Sequence, residues 1–85
     1  MRDTPYATEL CPPGIIRWSE SEEGRIERIL VKDSGQEEIR FSWWKNGNIT
    51  PRPLDLSEDD LITLLRDAAA KGVFSDNFRS QLRTL

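Results

Sequence analysis

The segment 39–48 constrains the fold more than any other part of the chain. Apolar and polar residues alternate from Ile39 through Phe41 to Trp43, and the segment ends at Asn46-Gly47. Strict alternation predicts a half-buried β-strand, and Asn-Gly is the strongest short signal for a hairpin turn. The chain therefore contains an antiparallel strand followed by its return.

Successive side chains of this strand point to opposite faces of a sheet. One set is expected to face the core: Ile39, Phe41 and Trp43. The other set is expected to face away from it: Arg40, Ser42 and Trp44. That second face would carry a large flat ring beside a guanidinium group.

The rest of the first half predicts further strands. Residues 14–18 form a short candidate strand, and residues 25–32 are rich in β-branched side chains and lead to a turn at Ser34-Gly35-Gln36. The return after residue 48 contains Pro51 and Pro53, which cannot donate ladder hydrogen bonds, so it should be short or lie at an edge. Residues 1–13 lack periodicity and are interpreted as a flexible N-terminal arm, whereas 14–85 form one domain.

At Ser57 the apolar period changes from two to three or four. Ser57 is a good N-cap, three acidic residues follow it, and an apolar stripe continues to Gly72, so we expect a helix over 58–71. Ser75 predicts a short second helix. The fold class is therefore α+β: an antiparallel β-meander of three to four strands followed by one main C-terminal helix and a short second helix.

Composition argues against several classes of protein. The chain has 85 residues, one cysteine (Cys11) and no histidine, so neither the common zinc sites nor an imidazole catalyst can form within one chain. The acidic residues at 55–60 are explained by a helix start as well as by a metal site. We expect no enzymatic activity, no metal and no cofactor. Without a long apolar run or a secretory signal, we also expect a soluble, intracellular (cytoplasmic) protein with no membrane partner and no small-molecule substrate.

Aromatic and cationic residues in the strand region indicate a binding surface. Although the net charge is −3, residues 24–54 hold six cations and four anions. Alternation and reach place five residues on the face away from the helix: Arg28, Lys32, Arg40, Trp44 and Arg52. Cations that neutralise phosphates, together with a ring that stacks on a base, are typical of single-stranded nucleic-acid binding.

A second interpretation of the same residues stays open. The cations can pair with Glu27, Glu37 and Glu38 on neighbouring strands, and Trp44 can be buried between two subunits. Trp18 is either a second stacking position or an anchor that holds the arm to the domain. A chain this short has a thin core, so a homodimer is a reasonable way to bury more apolar area.

Part of the chain resembles the positive-cofactor-four family of transcriptional coactivators and their bacterial single-strand-binding relatives. The resemblance lies in 39–66, in four successive motifs: Ile39-Arg40-Phe41-Ser42-Trp43-Trp44, Lys45-Asn46-Gly47, Pro51-Arg52-Pro53, and the step Leu54-Asp55-Leu56-Ser57 into the helix. It implies a four-stranded sheet with a C-terminal helix, a homodimer, and sequence-tolerant binding of single-stranded DNA. It also implies that Arg40, Trp44, Lys45 and Arg52 belong to the binding surface. Pro53 and the absence of a basic tail depart from the family pattern.

Two functions are therefore expected from the sequence. The first is a dimeric single-stranded DNA or RNA binding domain with an accessory role in transcription or replication. The alternative is a protein-interaction module, or a small regulatory subunit, that binds no nucleic acid. The pairing of Arg28, Arg40 and Arg52 with carboxylates would favour the alternative.

Overall fold

The computed structural model describes residues 2–85. It contains five strands, β1 (Ala7–Glu9), β2 (Gly14–Arg17), β3 (Glu22–Val31), β4 (Gln36–Lys45) and β5 (Asn48–Ile49), followed by two helices, α1 (Glu58–Ala70) and α2 (Asp76–Leu82). The predicted α+β class is confirmed, as is the order of a meander, a main helix and a short helix.

All strand pairs are antiparallel, and β3 is the central strand. β4 pairs with β3 along its whole length, from Glu22 opposite Lys45 to Val31 opposite Gln36. The other edge of β3 is shared between β2 and β1, which pair with its first and second halves. β5 pairs only with the end of β4. Among residues 2–85, no helix has the length and apolar character needed to span a bilayer.

Helix α1 packs across β2 and β3 and forms the main core. Ile26 of β3, Leu64 and Ala68 of α1, and Val73 just after it are all fully buried. The approach is closest at Gly14, where a Cβ atom would lie 2.6 Å from the Cα of Ala68. Glycine is needed there because any larger residue would push helix and strand apart.

The caps of both helices follow the predicted residues. The Ser57 hydroxyl accepts a hydrogen bond from the Asp60 N–H at 3.1 Å, and the Ser75 hydroxyl accepts one from Phe78 at 3.2 Å. Gly72 has a φ of 78°, the left-handed conformation that ends a helix with least strain.

Asp67 links α1 to β2. Its carboxylate accepts a hydrogen bond from the Ile15 N–H at 2.7 Å and lies 2.8 Å from Lys71 Nζ. The Lys71 ammonium group, and then the Ile15 amide, hold the pKa of Asp67 below its ordinary value. Its negative charge therefore contributes to the attachment of helix to sheet.

The N-terminal segment is held against the sheet. Within 1–13, the segment interpreted as a flexible arm, β1 pairs with β3, and Asp3 bridges back to Thr8. The Glu9 N–H also bonds the Arg2 carbonyl at 2.8 Å. Three residues are too few to show a period, which is why the pattern of the sequence missed this strand.

Candidate interaction surfaces on the sheet

The register of β3 against β4 fixes which side chains share a face. Directly opposite residues lie on the same side of an antiparallel pair. Gly24, Ile26 and Arg28 therefore share the α1 side with Trp43, Phe41 and Ile39, respectively. The other side carries Glu23, Arg25 and Glu27 together with Trp44, Ser42 and Arg40, respectively.

The side away from α1 is the inside of a curled sheet. Arg2, beside β1, places its guanidinium carbon 4.4 Å from the ring centre of Trp44, which lies two strands away on β4. Only a strong curl brings these positions together. We call this side the concave face and the α1 side the convex face.

Trp44 is buried in the concave face, so the prediction that it points outward is wrong. Its residue exposure is 3%, and Arg25 lies over the same ring at 4.0 Å. The indole N–H donates to the Ser42 hydroxyl at 2.8 Å. The alternation correctly places Trp44 on the side of β4 away from α1. That side is buried because the sheet curls and residues 2–9 cover it, whereas an open sheet would leave it exposed.

Arg40 belongs to a buried network in the same face. Its Nε and Nη2 donate to the two oxygens of Glu27 at 3.1 and 3.0 Å, and the Ser42 hydroxyl donates to Glu27 at 2.9 Å. Glu27 is 0% exposed. A buried carboxylate is stable only when it is paired and hydrogen-bonded, so Arg40 neutralises Glu27 and its own charge is balanced within the chain.

Arg28 and Lys32 are also held by contacts within the chain. Arg28 lies on the convex face, where it donates to the Val73 carbonyl at 2.7 Å and to Glu37 at 2.9 Å. Lys32 Nζ lies 2.8 Å from Asp3, and its hydrogen bond, followed by that of Thr8, lowers the pKa of Asp3. The expectation that Arg28, Lys32 and Arg40 share one free face is therefore wrong.

Lys45 and Arg52 remain exposed. Within residues 2–85 neither forms a salt bridge, and the Arg52 guanidinium lies 5.2 Å from the ring centre of Trp43. Trp43 is half-buried and donates its indole N–H to Glu22 at 3.0 Å. These two cations are the part of the predicted basic surface that the fold leaves accessible.

Trp18 bridges the sheet to the start of α1. It is 40% exposed, its indole N–H donates to Asp60 at 3.2 Å, and its ring packs against Gly24. The Asp60 carboxylate and the acidic residues around it make this end of the convex face electronegative, which is unfavourable for a phosphate.

Ile39 and Phe41 form an exposed apolar patch on the convex face, which we call the β4 patch. Their exposures are 37% and 50%, so the prediction that they lie in the core is wrong. They do face the side of the sheet that carries the helix, but α1 packs over β2 and β3. A single narrow helix cannot cover four strands, and this limit is not visible in the alternation of one strand.

The β4 patch borders the buried core, and the core in turn contacts an exposed aromatic residue of α2. Phe41 lies opposite Ile26, which packs in the same cluster as Phe74. The ring of Phe74 is 5.1 Å from that of Phe78, which is 42% exposed. Exposed apolar residues that adjoin one another mark interaction sites more often than scattered single ones do.

The main-chain edge beside the patch is also open. β5 pairs with Trp44 and Lys45, and the Thr50 N–H bonds the Trp43 carbonyl at 2.7 Å. Within residues 2–85, no strand pairs with the outer edge of β4 from Gln36 to Ser42. An edge with unpaired N–H and C=O groups is a template for a further strand.

The described residues offer little reactive chemistry. No three acidic or cysteine side chains within 2–85 come together as a metal site requires. The Cys11 thiol is half-buried, and this burial raises its pKa, which lowers the fraction of reactive thiolate.

The pairing of Glu27 with a cation of a neighbouring strand is expected from the sequence, but the complete burial of Glu27 and the open β4 edge are not. The turn near Ser34 places Glu27 opposite Arg40, so this pair can be predicted from the sequence.

Comparison of the chain with protein-family models, curated proteins and solved structures finds no match. The resemblance to the positive-cofactor-four family stays a prediction.

Proposed function

We propose that this chain is a non-enzymatic protein-interaction module that binds its partner through β4. The observation that carries the proposal is the coincidence of an exposed apolar patch, Ile39 and Phe41, with an unpaired strand edge on the same strand. Strand addition uses both features, since main-chain hydrogen bonds supply affinity and alternate side chains supply specificity.

The arrangement of charge supports a protein partner over a nucleic acid. Arg40 pairs with Glu27, Arg28 with Glu37 and Lys32 with Asp3, so three of the predicted phosphate contacts are neutralised. Trp44, the predicted base-stacking ring, is enclosed. Of the cations predicted to contact phosphate, Lys45 and Arg52 remain, and two phosphate contacts give weak affinity with a shallow salt dependence.

Single-stranded nucleic-acid binding, with a role in transcription or replication, stays a prediction that a titration tests. Oligothymidine is added to the protein at low salt while tryptophan fluorescence is followed. We expect no saturable quenching, because the ring with the most neighbouring cations is buried. Saturable quenching that is lost in a Lys45→Ala/Arg52→Ala variant would replace the proposal with the nucleic-acid function.

The proposal itself is tested with matched baits, the wild-type chain and the Phe41→Ser variant. Phe41 is half exposed, so the substitution removes apolar surface with little effect on the fold. A protein retained only by the wild type is purified and titrated against both chains by calorimetry, and self-association of both is measured in parallel. We expect at least tenfold weaker association for the variant. The proposal would be contradicted if the wild type and the Phe41→Ser variant bound every tested partner, including themselves, equally well. It would also be contradicted if neither bound any partner.

A further inference from the structure

The outward main-chain groups of β4 follow a fixed order. The Thr50 N–H bonds the Trp43 carbonyl at 2.7 Å, so the main chain of Trp43 faces away from β3. Main-chain groups in an antiparallel ladder alternate with a period of two. The N–H and C=O groups of Phe41, Ile39 and Glu37 therefore also point to the open edge.

From this geometry we infer that the partner of the β4 edge is a second copy of this chain, in an antiparallel β4-to-β4 pair centred on Ile39. The inference rests on the proposed function and names the occupant of the same site. In this register Ile39 lies opposite Ile39 of the second copy, and Glu37 lies opposite Phe41. Both pairs join residues with outward main-chain groups, which gives about six hydrogen bonds across the interface.

Charge selects this register over its neighbours. Centring on Ile39 places Glu38 of each copy directly opposite Arg40 of the other, so that two opposite-charge pairs form on the concave side. Arg40 uses Nε and Nη2 for Glu27, and its Nη1 makes no hydrogen bond within residues 2–85, so it can donate to Glu38 of the second copy. Opposite charges across a strand pair are stabilising, whereas like charges are destabilising.

The alternative registers each meet an obstacle. Centring on Glu37, Glu38 or Arg40 places that residue opposite itself, with like charges in contact. Centring on Phe41 requires the main chain of Trp43, whose carbonyl already accepts the Thr50 bond. Among the registers centred on residues 37–41, the one centred on Ile39 avoids both problems.

The same register covers the β4 patch. The two copies of Ile39 face each other, and each Phe41 lies diagonally from Ile39 of the second copy, within reach of an aromatic ring. The two-fold axis stands perpendicular to the joined sheet, so both α1 helices lie on the same convex side. Four apolar side chains that are exposed in one chain become mutually covered, a self-complementary contact.

The test combines sedimentation with single-cysteine crosslinking. Sedimentation equilibrium gives the dimer dissociation constant of the wild type and of Ile39→Pro. Proline at this position removes an outward N–H and the exposed Ile39 side chain, neither of which the β3–β4 ladder uses, so the monomer retains its ladder. We expect the dissociation constant to rise at least tenfold, while circular dichroism and the urea midpoint of the monomer show that the fold remains.

Crosslinking reads the register directly. In a Cys11→Ser background, the variants Glu37→Cys, Glu38→Cys, Ile39→Cys and Phe41→Cys are oxidised with oxidised glutathione. Opposite residues of a hydrogen-bonded antiparallel pair have Cα atoms about 5.5 Å apart, within the range of a disulfide, whereas the other three positions are separated from their copies by more than that range. We expect Ile39→Cys to form covalent dimers at least tenfold faster than the rest.

Each outcome decides between the inference and the function on which it rests. A wild-type chain that stays monomeric to millimolar concentration, or fastest crosslinking at another position, overturns the inference. If the chain is monomeric but Phe41→Ser still loses a purified protein partner, the proposed function stands and the second copy is not its partner. If neither association depends on Phe41, both fail.

Discussion

Replacement of Arg40 by methionine would test whether this residue is a structural counter-ion. Glu27 is 0% exposed and receives three hydrogen bonds, two of them from Arg40. Arg40→Met leaves a buried carboxylate with the Ser42 hydroxyl alone. Breaking a buried ion pair from one side costs about 3–5 kcal/mol. Domains of this size have about 4–13 kcal/mol of total stability, so the variant should lose a large part of it.

The loss is measurable by urea unfolding, followed by tryptophan fluorescence and circular dichroism. With a slope of about 1.3 kcal/mol per molar urea, a loss of 3–5 kcal/mol lowers the midpoint by about 2–4 M. The measurement is made at one protein concentration low enough to keep the chain monomeric, because association would add to the apparent stability.

The double variant Glu27→Met/Arg40→Met is the matched control. Replacing both charges with apolar side chains of similar length removes the unpaired carboxylate, so most of the stability should return. Ser42 would still lose its acceptor, at a cost of about 1 kcal/mol. An Arg40→Met variant within about 1 kcal/mol of the wild type, or a double variant no more stable than the single one, would refute the argument that Arg40 is committed to Glu27.

Three further substitutions test the attachments of α1. Gly14→Ala should lower the unfolding free energy by about 1–3 kcal/mol, because its Cβ would meet the backbone of Ala68 at 2.6 Å; an unchanged urea midpoint would contradict that close approach. Asp67→Asn should destabilise the fold at neutral pH, and the difference in stability between wild type and variant should narrow on acidification. The reason is that the pKa of Asp67 is lowered in the folded state. Such a carboxyl stabilises the fold above its unfolded pKa, and this contribution is lost as the pH falls through its folded pKa. Thermal unfolding of both proteins from pH 7 to pH 2 measures this difference, and a difference independent of pH would exclude a role for the Asp67 charge. Ser57→Ala should cost about 1 kcal/mol through the lost N-cap bond, whereas Ser57→Asp should not; equal urea midpoints for the two variants would argue against the cap.

Local signals predicted the elements of this fold well. The Asn46-Gly47 turn, the alternation of β4 and the caps at Ser57 and Ser75 depend on neighbouring residues, and all were readable from the chain. β1 was not, because three residues carry no period and the strand exists only through its pairing with β3. The candidate site was harder to predict from the sequence, because the exposure of its residues depends on which elements cover each face of the sheet.

The alternation correctly separates the side chains of β4 into two faces, but the exposure of the two faces is the reverse of the prediction. Trp44 was expected outside and Phe41 inside, whereas Trp44 is 3% exposed and Phe41 is 50% exposed. The helix does lie on the Phe41 side, but over other strands, and the curl encloses the Trp44 side. Neither the reach of a helix nor the curl of a sheet is encoded in the period of a single strand, because both depend on long-range contacts.

Arg40 of β4 has two roles if the chain dimerises, and they explain why this cation does not contribute to a basic surface. Within one chain Arg40 neutralises a buried glutamate, which fixes the concave face. In the proposed pair its Nη1 would face Glu38 of the second copy and select the register. Electrostatic pairs of this kind contribute more to specificity than to affinity, which in the proposed pair would come from Ile39, Phe41 and the main-chain ladder. If Glu38 and Arg40 set the pairing register of β4 in this way, its open edge is suited to recognising another β-strand.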